Sequence, residues 1–275
     1  MINVDKLSFS YGSKQVLKNI SMEVRSGNIY GLLGENGVGK TTLLTLLCGL
    51  KKPQEGIIEV DGRDPFKRDP GLLSEQFYLP DEVSPVRASA QCFAMETGAM
   101  WPKYDHNKFL EILLGFEVDA TQRMDSMSAG QLKKTWIAFA LACNARYYYM
   151  DEPTNGLDIP SKAQFRKAIT KYTQEDSAII ISTHQVRDLE NVIDPIIILD
   201  KQDVLLNATL EEVGDKLYFD YGSTVHPDAL YMEQVPGGCI QVVPNTEKQE
   251  SKVNLEALFN AVHAHKDIVK NLFTK

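Results

Sequence analysis

Residues 34–41 read Gly34-Glu35-Asn36-Gly37-Val38-Gly39-Lys40-Thr41. Three glycines followed by a lysine and a hydroxyl residue are what a backbone needs to fold around phosphate. The glycines let successive N–H groups turn inward, and a helix beginning at the lysine adds positive partial charge. Lys40 can then reach the β- and γ-phosphates, and Thr41 can offer its hydroxyl to Mg²⁺. Far downstream, Tyr147-Tyr148-Tyr149-Met150 runs into two adjacent carboxylates, Asp151 and Glu152. Asp151 suits the water shell of Mg²⁺, and Glu152 suits the polarising of an attacking water.

These groups need strands that end where they begin. Ile29 to Leu33 is a short apolar run ahead of Gly34, and Lys40 to Leu50 carries leucines at 43, 44, 46 and 47. The pattern predicts a buried strand, a loop and a helix. Ahead of it, Ile2 to Ser10 and Gln15 to Val24 alternate as strands around the turn Tyr11-Gly12-Ser13-Lys14. Gly56 to Val60 is read as a strand entering a hairpin at Asp61-Gly62. Between Glu82 and Ser126 the character changes. Ala88 to Met100 and Asn107 to Phe116 read as helices, interrupted by Pro85 and Pro102, so residues of about 82–126 form an inserted helical subdomain.

Next come a helix (Ala129 to Cys143), a strand (Tyr147 to Met150), a helix (Ser161 to Tyr172) and strands at Ala178 to Ser182 and Ile196 to Leu199. Alternation of this kind predicts a mainly parallel sheet with helices upon it, in an α/β body of residues 1–212. Residues 213–275 differ. Short strands at Lys216 to Tyr221, Leu230 to Glu233 and Cys239 to Val243, and a helix from Asn254 to His265, predict a small α/β appendage. His263 and His265, two apart on that helix, do not face one another and are expected to be surface residues.

The chain of 275 residues carries a net charge of −8, which disfavours nucleic acid as a partner, since phosphate backbones are held by clustered Lys and Arg. Its four cysteines, Cys48, Cys92, Cys143 and Cys239, lie at no metal-ligand spacing and fit reduced thiols. No basic segment followed by an apolar run opens the chain, so no signal peptide is expected. No stretch approaches the roughly 18 apolar residues a membrane span requires. Any membrane role is therefore expected to run through a separate protein.

Just upstream of the Asp-Glu strand stands Met127-Ser128-Ala129-Gly130-Gln131. By itself this is a helix capping box, with Ser128 at the N-cap and Gln131 three residues on. It also resembles the signature of the ABC (ATP-binding cassette) ATPases, usually Leu-Ser-Gly-Gly-Gln, and the two readings are compatible. Pro153-Thr154-Asn155-Gly156-Leu157-Asp158 resembles that family's segment at the dimer interface, and Ser182-Thr183-His184 its switch histidine. Phe9-Ser10-Tyr11-Gly12 resembles the segment whose aromatic stacks on adenine. The resemblance runs over residues of about 2–212.

What the resemblance implies is specific. The fold would be that of a P-loop NTPase with an N-terminal antiparallel β subdomain, the helical insert and the appendage. ATP and Mg²⁺ would be bound by Tyr11, Gly34, Asn36, Gly37, Gly39, Lys40, Thr41 and Thr42, with Thr41, Asp81 and Asp151 toward the metal. Glu152 would activate water and His184 would sense the γ-phosphate. Ser128, Gly130, Gln131 and Asp158 would act across a dimer, homomeric or with a related ATPase subunit, on the partner's nucleotide. Dimer closure would drive a separate transmembrane permease from the cytoplasmic face, docked on the helical insert and the Asp81 loop. The short insert and small appendage are similar to the ATPases of bacterial exporter-type systems.

A soluble ABC ATPase outside transport is the competing class, but such chains usually carry two cassettes or long coiled coils. This sequence departs from the family twice. Asp81 stands where a glutamine normally follows Leu-Pro, with Gln76 nearby but out of register. Ala129 replaces the first signature glycine.

Overall fold

The computed structural model describes residues 1–200 and 203–273. β1 (Ile2–Tyr11) and β2 (Lys14–Val24) form a hairpin, and β3 (Asn28–Leu33) leads through the glycine loop into α1 (Lys40–Leu47). β4 (Glu55–Val60) pairs with β1, closing an antiparallel sheet of order β2-β1-β4. The second half of β2 shows why it lies there: Ile20, Met22 and Val24 are buried while Ser21 and Glu23 are exposed, a period of two. Where a hairpin was expected at Asp61-Gly62, the chain makes a turn closed by a single bridge, Val60 to Arg63, and no partner strand follows. Instead α2 (Pro70–Leu73) leads into β5 (Gln76–Leu79). Four residues are too few to display alternation, so the sequence alone predicts no strand there.

The helical segment consists of α3 (Ala90–Gly98) and α4 (His106–Gly115), followed by α5 (Ala129–Ala142), β6 (Tyr147–Asp151), α6 (Ile159–Tyr172), β7 (Ala178–Thr183), β8 (Ile196–Asp200) and β9 (Asp203–Ala208). The six-stranded sheet runs β5-β6-β7-β3-β8-β9. The first five strands are parallel, and β9 is antiparallel to β8. β6, β7 and β8 are buried along their whole length, as a sheet covered on both faces requires.

The two faces belong to two separate cores. Tyr147, Tyr149 and Ile180 point into one, with the leucines of α1 and the antiparallel sheet. Tyr148, Met150, Ile179 and Ile181 point into the other, with α5, α6 and the helical segment. In that second core Phe139 of α5 meets Phe77, Phe93, Trp101 and Tyr104 at ring separations of 5.0–5.9 Å.

The C-terminal region holds α7 (Leu210–Lys216), β10 (Leu217–Gly222), β11 (Tyr231–Val235), β12 (Gly238–Pro244), α8 (Leu255–Ala264) and α9 (Lys266–Phe273). β12 is the central strand of its antiparallel sheet. Leu217, Phe219, Leu255, Leu258 and Val262 join the same apolar cluster as Ile196, Ile198 and Leu206 of the main sheet. The appendage is thus a layer docked on the body rather than a unit with its own core. His263 is half-buried against the Phe259 ring, 4.1 Å away, and so is not the surface residue expected of it.

Candidate active site

The C-terminal ends of β3, β5, β6 and β7 meet at one edge of the sheet, the place where open α/β sheets bind ligands. Parallel register sets which residues meet: Leu33 is level with Thr183, Asp151 with Ser182, and Leu79 with Met150. A cavity of about 290 Å³ opens there, lined among others by Tyr11, Asn36, Gly37, Gly39, Thr42 and Asp81. Lys40, Thr41, Asp151 and Glu152 complete its chemistry.

The glycine loop has the backbone that its sequence demands. Gly37 and Gly39 have φ of 79° and 115°, which L side chains rarely adopt. At Gly39 an added Cβ would also come within 2.9 Å of Val16. Gly39 is the N-cap of α1, so the first free N–H groups of that helix face the cavity end. Lys40 is buried, and its Nζ donates to the carbonyl oxygens of Gly34 at 2.7 Å and Glu35 at 3.3 Å. Burial pushes its pKa down, against the attraction of Glu152 and Asp151. Glu152 Oε1 lies 3.8 Å from the same ammonium.

Thr41 Oγ1 donates to Asp151 Oδ2 at 2.6 Å. Two hard oxygens side by side, with no cluster of three acidic or imidazole ligands among the described residues, fit Mg²⁺. That ion takes one or two protein oxygens and fills its octahedron with water and phosphate. The other Asp151 oxygen accepts from Ser182 Oγ at 2.5 Å, and Ser182 Oγ in turn accepts the Glu152 N–H at 3.1 Å. Glu152 itself has φ of 43°, a left-handed turn straight off β6. In a continuing strand two successive carboxylates would point to opposite faces; the turn lets both line one cavity. His184 Nδ1 sits 2.9 Å from Glu152 Oε1, and its side chain is 35% exposed.

Tyr11 stands at the outer rim, its OH 3.3 Å from Thr42 Oγ1 and its ring under Lys51 Nζ at 4.8 Å. Gln76 lies elsewhere: it is buried on β5, where its Oε1 accepts from Tyr149 OH at 2.9 Å.

Ser128, Gly130, Gln131 and Asp158 do not line this cavity. Ser128 caps α5, with Gln131 N–H donating to its Oγ and Gln131 Oε1 accepting the Ser128 N–H, the full capping box. Asp158 caps α6 by accepting from Ser161 N–H at 2.9 Å. Three residues to which the sequence reading gives no role of their own complete the arrangement. Ser182 bridges Asp151 and Glu152, Asn155 donates to both oxygens of Asp81, and buried Lys133 holds the Asp81 loop. Ser182 and Asn155 lie inside segments the sequence marks, while Lys133 carries no such signal.

Comparison with known proteins identifies the family. The ABC transporter family model matches residues 17–155. An uncharacterized ABC transporter ATP-binding protein of Methanocaldococcus jannaschii is 30% identical over 242 residues, covering 85% of this chain and 88% of the relative. The lipopolysaccharide export system ATP-binding protein LptB of Haemophilus influenzae is 28% identical over 78% of this chain and 92% of its own. Among solved structures, the dimeric post-hydrolysis state of an ATP-binding cassette bound to ADP and Pi superposes with a TM-score of 0.66, at 22% identity, covering 76% of this chain and 99% of that one. Glycine loop, paired carboxylates, capped signature helix and these relatives together place the chain in the ABC transporter ATP-binding family, as an ABC-type ATPase.

Proposed function

We propose that this chain is the Mg²⁺-dependent motor subunit of a transporter: two ATPase subunits close around ATP and reopen after hydrolysis, moving a separate membrane-spanning partner. The observation that carries this reading is that the candidate ATP-binding residues fall into two groups, one lining the cavity and one outside it. Lys40, Thr41, Asp151 and Glu152 gather in the cavity, while Ser128 and Gly130 present a hydroxyl and a helix-start N–H outside it. A second subunit facing the cavity would supply those groups to the γ-phosphate. The solved cassette bound to ADP and Pi is dimeric, which supports the same geometry here.

Thr41 and Asp151 would hold Mg²⁺, with Asp81 at the same cavity wall. The ion would neutralise charge on the β- and γ-phosphates. Lys40 would leave its carbonyl partners for the phosphates. Glu152, held between Lys40 and His184, would accept the proton of the attacking water while His184 steadies its carboxylate. Among the described residues no helix is long and apolar enough to cross a membrane, so the span is assigned to another chain. Met95, Met100 and Leu114 of the helical segment are 61%, 66% and 77% exposed, apolar side chains that the partner would cover. The subunit would sit on the cytoplasmic face.

The test is Glu152→Gln. It should bind Mg-ATP normally and hydrolyse it about 10²–10⁴-fold more slowly. The trapped nucleotide should hold a dimer visible by size exclusion with light scattering. Near-wild-type turnover, or a monomer at saturating Mg-ATP, would refute the reading.

A further inference from the structure

Lys133 lies on α5 and is 4% exposed, which is expensive for an ammonium unless oxygen atoms surround it. Here they do. Its Nζ donates to the carbonyl oxygens of Pro80, at 3.3 Å, and of Asp81, and stands 3.7 Å from Asp81 Oδ1. On its other side Asp81 accepts from Asn155 Nδ2 at 3.1 and 3.4 Å. Asp81 is the wall between two cavities. One is the nucleotide cavity. The other, about 370 Å³, is lined by Ala129, Lys133, Asn155 and Gly156. Three segments thus meet at one carboxylate: the helix capped by Ser128, the loop after β5, and the loop after β6.

Charge makes the meeting consequential. Asp81, Asp151 and Glu152 line the cavity that receives a polyphosphate, with two cationic side chains, Lys40 and Lys14, in the same lining. A third carboxylate there repels the γ-phosphate when no metal is bound. We propose that Lys133 is the positioning residue for Asp81: its fixed ammonium neutralises that carboxylate beside incoming phosphate and ties it to the helix that carries Ser128 and Gly130. Any shift of Asp81 toward a metal then pulls on α5 through Lys133 and on the following loop through Asn155. This deepens the proposed function, since it presupposes ATP in the cavity.

The experiment is a double-mutant cycle on ATP affinity measured by calorimetry in EDTA, repeated with Mg²⁺ and accompanied by thermal melts. Lys133→Gln keeps a hydrogen-bonding group and removes the charge. It should weaken metal-free ATP binding about tenfold, a coupling within the range of contacting networks. With Mg²⁺ present the loss should be smaller. Asp81→Asn alone should strengthen metal-free binding, and in the Lys133→Gln background it should restore affinity to near wild type. Equal losses in both Asp81 backgrounds would make Lys133 a structural brace and overturn the proposal. So would an Asp81→Asn protein with unchanged metal-free affinity, a result independent of whether Lys133→Gln folds. Wild type that binds no ATP would instead refute the underlying site.

Discussion

The glycine loop and the start of α5 use glycine for opposite reasons. Gly39 answers to its own chain: φ is 115°, and a Cβ would strike Val16 at 2.9 Å. Gly130 answers to nothing in this chain. It lies in helix, outside the left-handed region, and a Cβ there would meet only the Gly156 carbonyl at an ordinary 3.8 Å. Glycine inside a helix sacrifices roughly 0.5–1 kcal/mol relative to alanine. One region is completed by its own fold, with Lys40, Asp151 and Ser182 buried, Lys40 donating to the Gly34 carbonyl and Ser182 to Asp151. The other is an open surface, and under the proposed function its demand for smallness would come from a second subunit, which would make each chain half a site.

The largest expected effect tests the completed half. Lys40→Ala removes a charge-assisted contact to phosphate, and ATP affinity by calorimetry should fall roughly 10- to 100-fold. Unchanged affinity would remove the loop from the site. The next tests the open half. Gly130→Val should leave ATP affinity of the monomer within about twofold, yet slow turnover at saturating ATP by about tenfold or more, as loss of an aligned donor does. A drop in monomer affinity like that of Lys40→Ala would mean that the two regions are not separate. The smallest effect separates capping from chemistry at Ser128. Ser128→Ala loses the cap bond to Gln131, at about 1 kcal/mol. That should lower the melting temperature by about 2–4 °C. Ser128→Asn preserves the cap, so its melt should match wild type while turnover still falls. Full turnover in the stable Ser128→Asn protein would leave Ser128 as a cap alone.

The legible parts of this molecule were those carried by neighbouring residues. The capping box of α5 spans four positions and was readable as such, and the two bonds that define it are present. The strands β3, β6 and β7 were visible as unbroken apolar runs because both of their faces are covered. β5 is not legible because its four residues are too few to display a period, and β9 because Asp203 and Asn207 interrupt its apolar run. The appendage is legible as short strands and an amphipathic helix, but what that helix packs against is not: α8 turns its apolar face onto the core already built by β8 and β9.

What the sequence alone determined is the local chemistry: a loop that must be glycine-rich to enclose phosphate, a lysine and hydroxyl at its end, two carboxylates behind an apolar strand, and a capped helix. Each depends on residues within a turn or a strand of one another. Only the tertiary structure decided their partners. Lys133 reaches the Asp81 loop across 52 positions, Asn155 reaches it across 74, and Thr41 finds Asp151 across 110. The left-handed turn at Glu152 and the bridging hydroxyl of Ser182 depend on β6 and β7 lying in parallel register. Register is set by burial of whole faces of the sheet, a property of the assembled chain that no short stretch of residues contains.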